Sequence, residues 1–550
     1  MLFDAIAIPL SMVALALPFV FGYTDAPNAN FWPLIASWAC GLVLMILWSM
    51  LLVRAQVGVA ARTREQCAAW ARTAVASQVA AGLVLAAILG GTIGLVQYFS
   101  GDAGLSPWIQ GSMHGQAIGN LRQRNQQATL LSLGGWALLW LLAQIEAKSE
   151  TRLLAERREI LEQQTAIRAR QRWCSLLVGM LLAWVLVLLV IGSAATASRT
   201  GALQWLLIVG LLMIWRASSG RAAIALSMAG LVVYAVAAWL LPQLLQAWTG
   251  FTTDGLFNRI HGDEQSCNSR RVLWMNVLHL IAQKPWLGWG WGELDYAHYV
   301  TIYSGERFCL LLDNAHNLPL HLAVELGLPV AFALCSLVLI WCVRARPWRE
   351  TDTARQLAWG ILAIVGVHSM LEFPLWYGPF QVVTLLAATL LLWRGAVPRW
   401  VTGPAARAVA TIVLLGACAL GGILAWDYYK VSLLYRPSSL RPPHFREDTM
   451  AKVSGTPFFS DQVDFALLSA TTLTQDTAPQ VLILARELLH FSPEPRVIEL
   501  LIESAAMLGK DEEAAFHTKR YRLAYPTEYL RWKSAGTRIG TGASQALQRP

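Results

Sequence analysis

Long apolar runs separated by short polar segments occupy most of the first 430 residues of the chain. A helix needs about 20 apolar residues to cross roughly 30 Å of hydrocarbon, and the pattern predicts about eleven such helices. They lie at residues 5–22, 31–53, 75–99, 129–146, 173–192, 201–215, 222–241, 317–343, 356–371, 379–393 and 409–427. The two shortest, 201–215 and 379–393, either borrow a turn from their flanks or are re-entrant. The chain is therefore expected to be an all-α, polytopic integral membrane protein.

The positions of basic residues predict which helix ends face the cytoplasm. Arginine and lysine mark cytoplasmic loops, and here they collect in alternate loops, at residues 54–72, 148–172, 216–221, 344–355 and 394–407. The opposite set includes the long segment 242–316 and the tail from about 428, which are expected outside the cytoplasm. The run 5–22 lacks a basic start and a cleavage site, so we expect it to be retained as the first helix, with a cytoplasmic N-terminus.

Composition agrees with a membrane solvent and argues against one class of partner. The chain is 56% hydrophobic and 14% charged, whereas soluble domains are about one quarter charged. The net charge of +9 follows mostly from the basic cytoplasmic loops. Nucleic acid is therefore not an expected partner.

The same patterns divide the chain into four segments. We assign residues 1–241 to N-terminal membrane helices, 242–316 to an outer loop, 317–430 to C-terminal membrane helices and 431–550 to an outer α-helical domain. Helical periodicity in the last segment predicts helices at Val463–Leu473, Gln480–His490, Arg496–Leu508 and Glu512–Ala524. The middle pair looks like one weak tetratricopeptide-type hairpin. Its role is either docking or stabilisation of the core.

Two of the eight cysteines lie in the outer loop. Cys267 and Cys309 occupy a compartment that permits disulfides, whereas the other six fall in spans or on the reducing side. We expect them to form a disulfide bond. The alternative is two unpaired thiols in a partly buried loop.

Five short motifs lie at or beside the outer ends of the predicted spans. They are Gly119-Asn-Leu-Arg-Gln-Arg-Asn125-Gln, Ser198-Arg199-Thr-Gly201, Ser269-Arg270-Arg271 with Trp274, His316-Asn317 separated by nine residues from Gly327, and His368-Ser-Met-Leu-Glu372-Phe-Pro-Leu-Trp-Tyr377-Gly. Glu325 lies two residues before that glycine.

These motifs resemble those of the O-antigen ligase superfamily (the Wzy_C type), which moves glycans from undecaprenyl pyrophosphate to lipopolysaccharide core or to protein. The first and last motifs are similar to those of the PglL-type protein O-oligosaccharyltransferases. The resemblance spans roughly residues 90–430 and implies a GT-C-like fold in the bacterial inner membrane. It also implies that the motifs and the C-terminus face the periplasm. The doubled arginine shifts the Ser-x-Arg-x3-Trp motif by one, so either Arg270 or Arg271 matches it.

The chemistry of the reaction gives the arginines a role on the donor. A pyrophosphate leaving group gains negative charge in the transition state, and a guanidinium binds phosphate oxygens in a bidentate way without losing its proton. Arg199 and Arg270, with Arg271 as the substitute, are therefore expected to bind the donor pyrophosphate. The alternative is that they pair with outer carboxylates or lipid phosphate. The resemblance implies that Tyr377 lies near this site, although it is equally placed for interfacial anchoring.

A histidine is expected to activate the acceptor. A hydroxyl is a poor nucleophile until a base takes its proton, and histidine suits this task at neutral pH. His316 is the expected base, and attack opposite the leaving group inverts the anomeric centre. The alternative is a structural histidine at a helix start.

Other motif residues are assigned supporting roles. Glu372 is expected to orient a neighbouring arginine or histidine, and His368 is either functional or bonded to a nearby carbonyl. Asn125, Asn317 and Glu325 lie in or beside the motifs and are expected to support the site.

No cofactor or metal ion is expected. The outer acids include the adjacent pair Asp263-Glu264 but no DxD-like set, and neighbours in sequence seldom hold one ion together. The expected partners are membrane lipid, a lipid-linked glycan donor, and a periplasmic acceptor protein such as a pilin. Lipid A core, as acceptor of an O-antigen ligase, and the growing chain of an O-antigen polymerase stay open. A lipid or polysaccharide transporter and a membrane scaffold are the non-enzymatic alternatives.

Overall fold

A computed structural model describes residues 2–57, 64–159, 165–262, 267–393 and 403–536. Every regular element in these ranges is a helix, and 22 of them are α-helices. The first fifteen are α1 Leu2–Val20, α2 Phe31–Val57, α3 Arg64–Ser100, α4 Arg124–Glu159, α5 Thr165–Ala195, α6 Arg199–Ile214, α7 Arg216–Ser219, α8 Arg221–Thr249, α9 Leu256–Gly262, α10 Arg270–Gln283, α11 Leu294–Val300, α12 Leu318–Leu326, α13 Leu328–Ala345, α14 Thr353–Ser369 and α15 Gly378–Leu392. The next seven are α16 Pro404–Ser432, α17 Thr449–Val453, α18 Ser460–Ala470, α19 Ala478–Phe491, α20 Pro495–Met507, α21 Asp511–Ala524 and α22 Pro526–Gly536. The all-α prediction is confirmed.

Helix length and apolarity confirm the membrane prediction. Among the described residues, seven helices are long and apolar enough to cross a bilayer, and α1, α6 and α15 contain shorter apolar stretches. No residue in the most apolar stretch of α16 is buried within the protein, which is the pattern of a helix whose solvent is lipid.

Contacts divide the chain into two compact units. The first consists of residues 1–24, 29–262 and 342–419, and the second of residues 25–28, 263–341 and 420–550. The boundaries fall inside α13 and α16.

Helix α4 is the centre of the first unit, because most of its membrane stretch is buried. Small residues permit close packing around it: a Cβ added at Gly134 would meet that of Ala87 at 2.1 Å. The indole nitrogens of Trp136 and Trp140 donate to the carbonyls of Leu357 and Thr353 on α14. Close approach of small residues and interhelical hydrogen bonds both stabilise helix packing in lipid. The middle of α4 is thus packed closely against α3 and α14.

The run 317–343, predicted as one helix, is two helices separated by Gly327. This residue has φ +86°, and an added Cβ would lie 2.2 Å from the carbonyl oxygen of Trp286. The tryptophan-rich loop, residues 286–292, fills the break: Trp289 N–H donates to Val324 O at 2.8 Å and Gly290 N–H to Glu325 O at 3.0 Å. Carbonyls at the end of α12 therefore find donors outside their own helix.

The four helices predicted in the tail are confirmed as α18 to α21. Helices α19 and α20 pack against each other, and α21 packs on α20, around a core that includes Leu482, Ile498 and Tyr521. Tyr299 of α11 belongs to the same core, and its hydroxyl lies 3.0 Å from His517 Nδ1. The tail and the segment around α11 therefore form one hydrophobic core within the second unit.

Candidate active site

Three of the sequence motifs meet in the first unit through a chain of hydrogen bonds. Ser198 Oγ donates to Asn125 Oδ1 at 2.6 Å, and Asn125 Nδ2 donates to Glu372 Oε1 at 2.8 Å. Gln123 Nε2 donates to the other oxygen of Glu372 at 3.1 Å. Glu372 is buried, and hydrogen bonds to a charged acceptor are stronger than those between neutral groups. The starts of α4 and α6 and the loop after α14 are thus tied together, and we call this end of the unit the motif end.

Arg199 is the first residue of α6 at the motif end. Ser198 caps this helix, because its Oγ accepts from Gly201 N–H at 3.1 Å. The preceding residue, Ala197, has φ +48°, so the chain turns sharply into the helix. The serine and glycine of the motif therefore build the helix start, and the half-buried arginine is presented from it.

His368 is fully buried below the motif end. Its Nδ1 lies 2.8 Å from Thr129 Oγ1, and Gln204 Nε2 donates to the same hydroxyl at 2.9 Å. This ring nitrogen therefore contacts a hydroxyl of α4. One alternative from the sequence was a hydrogen bond to a neighbouring carbonyl. Thr129 and Gln204 gave no motif signal.

Tyr377 and Arg122 line one small pocket with Asn30. Arg122 donates to Ala29 O at 2.8 Å and also bonds Asn30 Oδ1. Burial lowers the pKa of Arg122, and the nearby Tyr377 opposes that shift. Tyr377 therefore lies at the motif end beside a guanidinium already engaged by the segment before α2.

His316 lies in the second unit, immediately before α12. It has φ +50°, and its N–H donates to Asn314 Oδ1 at 2.9 Å. Asn317 caps α12 by accepting from Leu320 N–H at 3.1 Å. The half-buried histidine is therefore held by a rigid turn on one side and a capped helix on the other, which suits a residue that must be both accessible and aimed.

Arg270 and Arg271 are the first two residues of α10. Ser269 caps this helix by accepting from Val272 N–H. Arg270 is half-buried and Arg271 is exposed. One turn after Arg270, Trp274 Nε1 donates to Ala315 O at 3.1 Å, so α10 is anchored next to the histidine turn. This contact places Arg270 and His316 on neighbouring parts of the same unit.

Glu325 is buried near the end of α12. Its Oε1 accepts from Gly292 N–H at 3.1 Å, and its Oε2 lies 3.5 Å from His321 Nε2. The first contact connects α12 to the tryptophan-rich loop, and the second lies within α12.

The structure joins Cys267 and Cys309 by a disulfide bond, with their Cα atoms 5.5 Å apart. Cys267 lies two residues before the cap of α10. The bond therefore ties the start of the Arg270 helix to the segment that leads to His316.

The described part of the chain contains no group of three or more His, Cys, Asp or Glu side chains arranged to hold a metal ion. The candidate residues of the first unit are Arg199, Asn125, Glu372, His368 and Tyr377. Those of the second unit are Arg270, Arg271, His316, Asn317 and Glu325. Cationic, hydroxyl, amide and imidazole groups such as these bind anions and move protons.

Comparison with protein families places the same motifs in three matched regions. The model described as O-Antigen ligase matches residues 184–335, and the model described as Protein glycosylation ligase matches residues 117–142. The model described as Virulence factor membrane-bound polymerase, C-terminal, matches residues 356–539. The first range contains Arg199, Arg270 and His316, and the second contains Asn125. The resemblance to the O-antigen ligase superfamily and to its protein-glycosylating branch is thus confirmed.

Two relatives from Acinetobacter baylyi match parts of the chain. A general O-oligosaccharyltransferase is 28% identical over 174 residues, which are 32% of this chain and 29% of the relative. A ComP-specific O-oligosaccharyltransferase is 26% identical over 115 residues, 21% of each chain. The matches thus span less than a third of either relative. No solved structure matches the chain.

Proposed function

We propose that this relative of the O-antigen ligases transfers a preassembled oligosaccharide from undecaprenyl pyrophosphate to a serine or threonine hydroxyl of a periplasmic protein, such as a pilin. The observation that carries the proposal is the match of residues 117–142 to protein glycosylation ligases, because the Ser198–Asn125–Glu372 hydrogen bonds link this region to two other motifs. Both relatives are named as O-oligosaccharyltransferases. The protein is an inner-membrane enzyme whose motif end faces the periplasm.

The arginines at helix starts bind the donor. Arg199 and Arg270 each occupy the first position of a helix capped by a serine. Helix N-termini favour anions through their free N–H groups and dipole, and a guanidinium at that position adds a fixed charge. These groups stabilise the pyrophosphate as it leaves. Arg271, which is exposed, is the alternative to Arg270. Tyr377 donates a hydrogen bond to the lipid-linked glycan substrate.

His316 removes the proton from the acceptor hydroxyl. The bond from the acceptor oxygen to the anomeric carbon forms as the bond to pyrophosphate breaks, and the anomeric centre is inverted. The reaction needs no metal ion, because fixed cationic side chains supply the charge stabilisation that a divalent ion gives elsewhere.

A lipopolysaccharide ligase or polymerase is the second candidate. The matches described as O-Antigen ligase and as membrane-bound polymerase favour it. These enzymes share the donor chemistry and differ in the acceptor.

The test reconstitutes the purified protein with an undecaprenyl-pyrophosphate oligosaccharide in EDTA and offers a pilin-like protein and lipid A core in separate reactions. We expect glycan on the protein, and a 10²- to 10⁴-fold lower rate for His316→Ala, the usual contribution of general base catalysis. His279→Ala is the matched control, because His279 is an exposed histidine on α10. Arg199→Gln, Arg270→Gln and Arg271→Gln identify the donor arginines.

Each contrary result has a definite meaning. Transfer only to lipid A core selects the second candidate, and elongation of the lipid-linked glycan selects a polymerase. Loss of transfer in EDTA that added Mg²⁺ or Mn²⁺ restores contradicts the metal-free mechanism. An equally active His316→Ala removes that residue as the base.

A further inference from the structure

The first unit contains a cavity of about 840 Å³ that the proposed mechanism does not use. Its walls come from the loop after α3, the start of α4 and the segment after α8. Thr253 Oγ1 donates to Gly115 O at 3.4 Å, so the two loops touch directly. The volume lies in the range of roughly 300–1,000 Å³ that is typical of small-molecule sites.

The charged side chains of the cavity balance one another. Two guanidiniums, of Arg124 and Arg259, and two carboxylates, of Asp102 and Asp254, line it. The charge of Arg124 interacts with both Arg259 and Asp254. A pyrophosphate bound here would be repelled by the two carboxylates. An acyl chain would be unfavourable too, because it would remove water from four charged groups. The lining therefore favours an uncharged ligand with many hydrogen-bonding groups.

An aromatic surface completes the lining. The rings of His114 and Phe251 stack with centroids 4.2 Å apart and planes 12° apart, and both residues line the cavity. Phe251 is 53% exposed, so one side of this stack is accessible. An aromatic face offers an apolar platform for the C–H surface of a sugar ring, while carboxylates accept and guanidiniums donate to its hydroxyls.

The cavity adjoins the motif end. Arg259 Nη1 donates to Ala197 O at 3.2 Å, two residues before Arg199, and Arg124 precedes Asn125 in α4. A ligand in the cavity therefore lies next to the start of α6, which presents Arg199, one of the residues that we assign to the donor pyrophosphate.

We propose that this cavity binds the neutral sugars of the donor glycan that adjoin the pyrophosphate, with Phe251 as the stacking platform and Asp254 as a hydroxyl acceptor. This assignment rests on the proposed function. Arg259 and Asp254 belong to none of the sequence motifs. Basic residues are scarce in the segments expected outside the cytoplasm, however, and this scarcity could have singled out Arg259 as a candidate.

The test measures transfer kinetics with undecaprenyl pyrophosphate bearing a neutral trisaccharide. We expect Phe251→Ala and Asp254→Ala each to raise KM for this donor about tenfold, the usual order for one lost contact, with kcat little changed. Both residues are substantially exposed, so neither substitution leaves a buried void. Phe257→Ala is the matched control, since Phe257 is an exposed aromatic of the adjacent α9 that does not line the cavity.

A binding measurement keeps this inference separate from the proposed function. Saturation-transfer NMR with the free trisaccharide should show contacts with the wild-type protein and with Phe257→Ala that are lost in Phe251→Ala and Asp254→Ala. If the wild type transfers no glycan but these contacts are present, the proposed function fails and the sugar site stands. Equal NMR contacts or equal KM in all variants would overturn the sugar site, and so would a Phe251→Ala variant that lowers only thermal stability, as an interfacial anchor would.

Discussion

At the scale of single residues, burial of ionisable groups is pronounced around α11 of the second unit. Burial of Asp295 raises the pKa of its carboxyl to about 7, and the charges of Asp313 and Glu293 add to the rise. Burial has the opposite effect on the neighbouring His298, whose pKa falls to about 3. His298 Nε2 lies 3.1 Å from Phe308 O and its Nδ1 lies 2.8 Å from Tyr303 OH, so a neutral ring can donate to the carbonyl and accept from the phenol. Both groups are thus stabilised in their uncharged forms.

We expect Asp295→Asn to stabilise the second unit at high pH. Because the folded-state pKa of Asp295 is raised above the ordinary value of 3.8, its contribution to stability is fully present below pH 3.8 and is lost as pH rises to about 7. The variant should therefore match the wild type near pH 4 and unfold at a higher temperature than the wild type at pH 8. The gain in free energy of unfolding at pH 8 should be at most about 4 kcal/mol. Thermal unfolding in detergent at the two pH values measures this, with Asp511→Asn as an exposed control. An Asp295→Asn variant that is equally destabilised at both pH values would contradict the prediction.

At the scale of secondary-structure elements, three motifs share one construction. Ser198, Ser269 and Asn317 are helix N-caps whose side chains accept from the first turn. A proposed functional residue follows each serine cap or precedes the asparagine cap. N-cap residues have extended backbone and satisfy N–H groups that have no partner within the helix. The motif residues therefore divide into those that build the helix start and those presented from it.

Substitution of Gly327 tests the break between α12 and α13. We expect Gly327→Ala to destabilise the protein by at least 1–2 kcal/mol, because the left-handed backbone disfavours a Cβ and the added atom would lie 2.2 Å from Trp286 O. Gly421→Ala is the control, because Gly421 lies within α16 with no atom in the space a Cβ would take. It should be neutral or stabilising by up to about 1 kcal/mol. Unfolding temperature and the yield of monodisperse protein are the readouts. Equal stability of the two variants would contradict the prediction, because it would show that the Trp286 loop moves to accommodate the Cβ.

At the scale of the whole chain, the second unit is assembled from distant segments. Arg520 Nε donates to Val300 O at 2.7 Å, and His490 Nδ1 lies 2.7 Å from Glu293 Oε2. These contacts join the tail to the segment that contains α11, more than 190 residues earlier in the sequence. The tail is therefore part of the structure that supports His316.

Removal of the Cys267–Cys309 bond tests how far this unit depends on a covalent link. The bond joins residues 42 apart, and the chain-entropy model assigns about 4 kcal/mol to a loop of that length. We expect Cys267→Ser with Cys309→Ser to lower the unfolding temperature and the rate of glycan transfer. Cys335→Ser and Cys418→Ser, at free cysteines, are the controls. Unchanged thermal unfolding of the double variant would contradict the prediction.

Much of the fold follows from local sequence patterns. Apolar stretches such as 31–53 and 222–241 form helices α2 and α8, because a chain in lipid must satisfy its backbone polar groups within each segment. The tail helices also match their periodicity within a few residues. The break at Gly327 was not predicted, because the apolar pattern runs on through it and only the approach of the Trp286 loop requires it.

The sequence by itself determined the membrane class, most of the long apolar helices, the tail helices and the short motifs, because hydrophobicity, periodicity and turn chemistry are local properties. Only the tertiary structure decided which residues share a site. Glu372 bonds Asn125 across 247 residues, and Thr129 meets His368 across 239, and no local pattern encodes such pairs. Likewise the cavity between the loops after α3 and α8 exists only because packing of the helices brings those loops together.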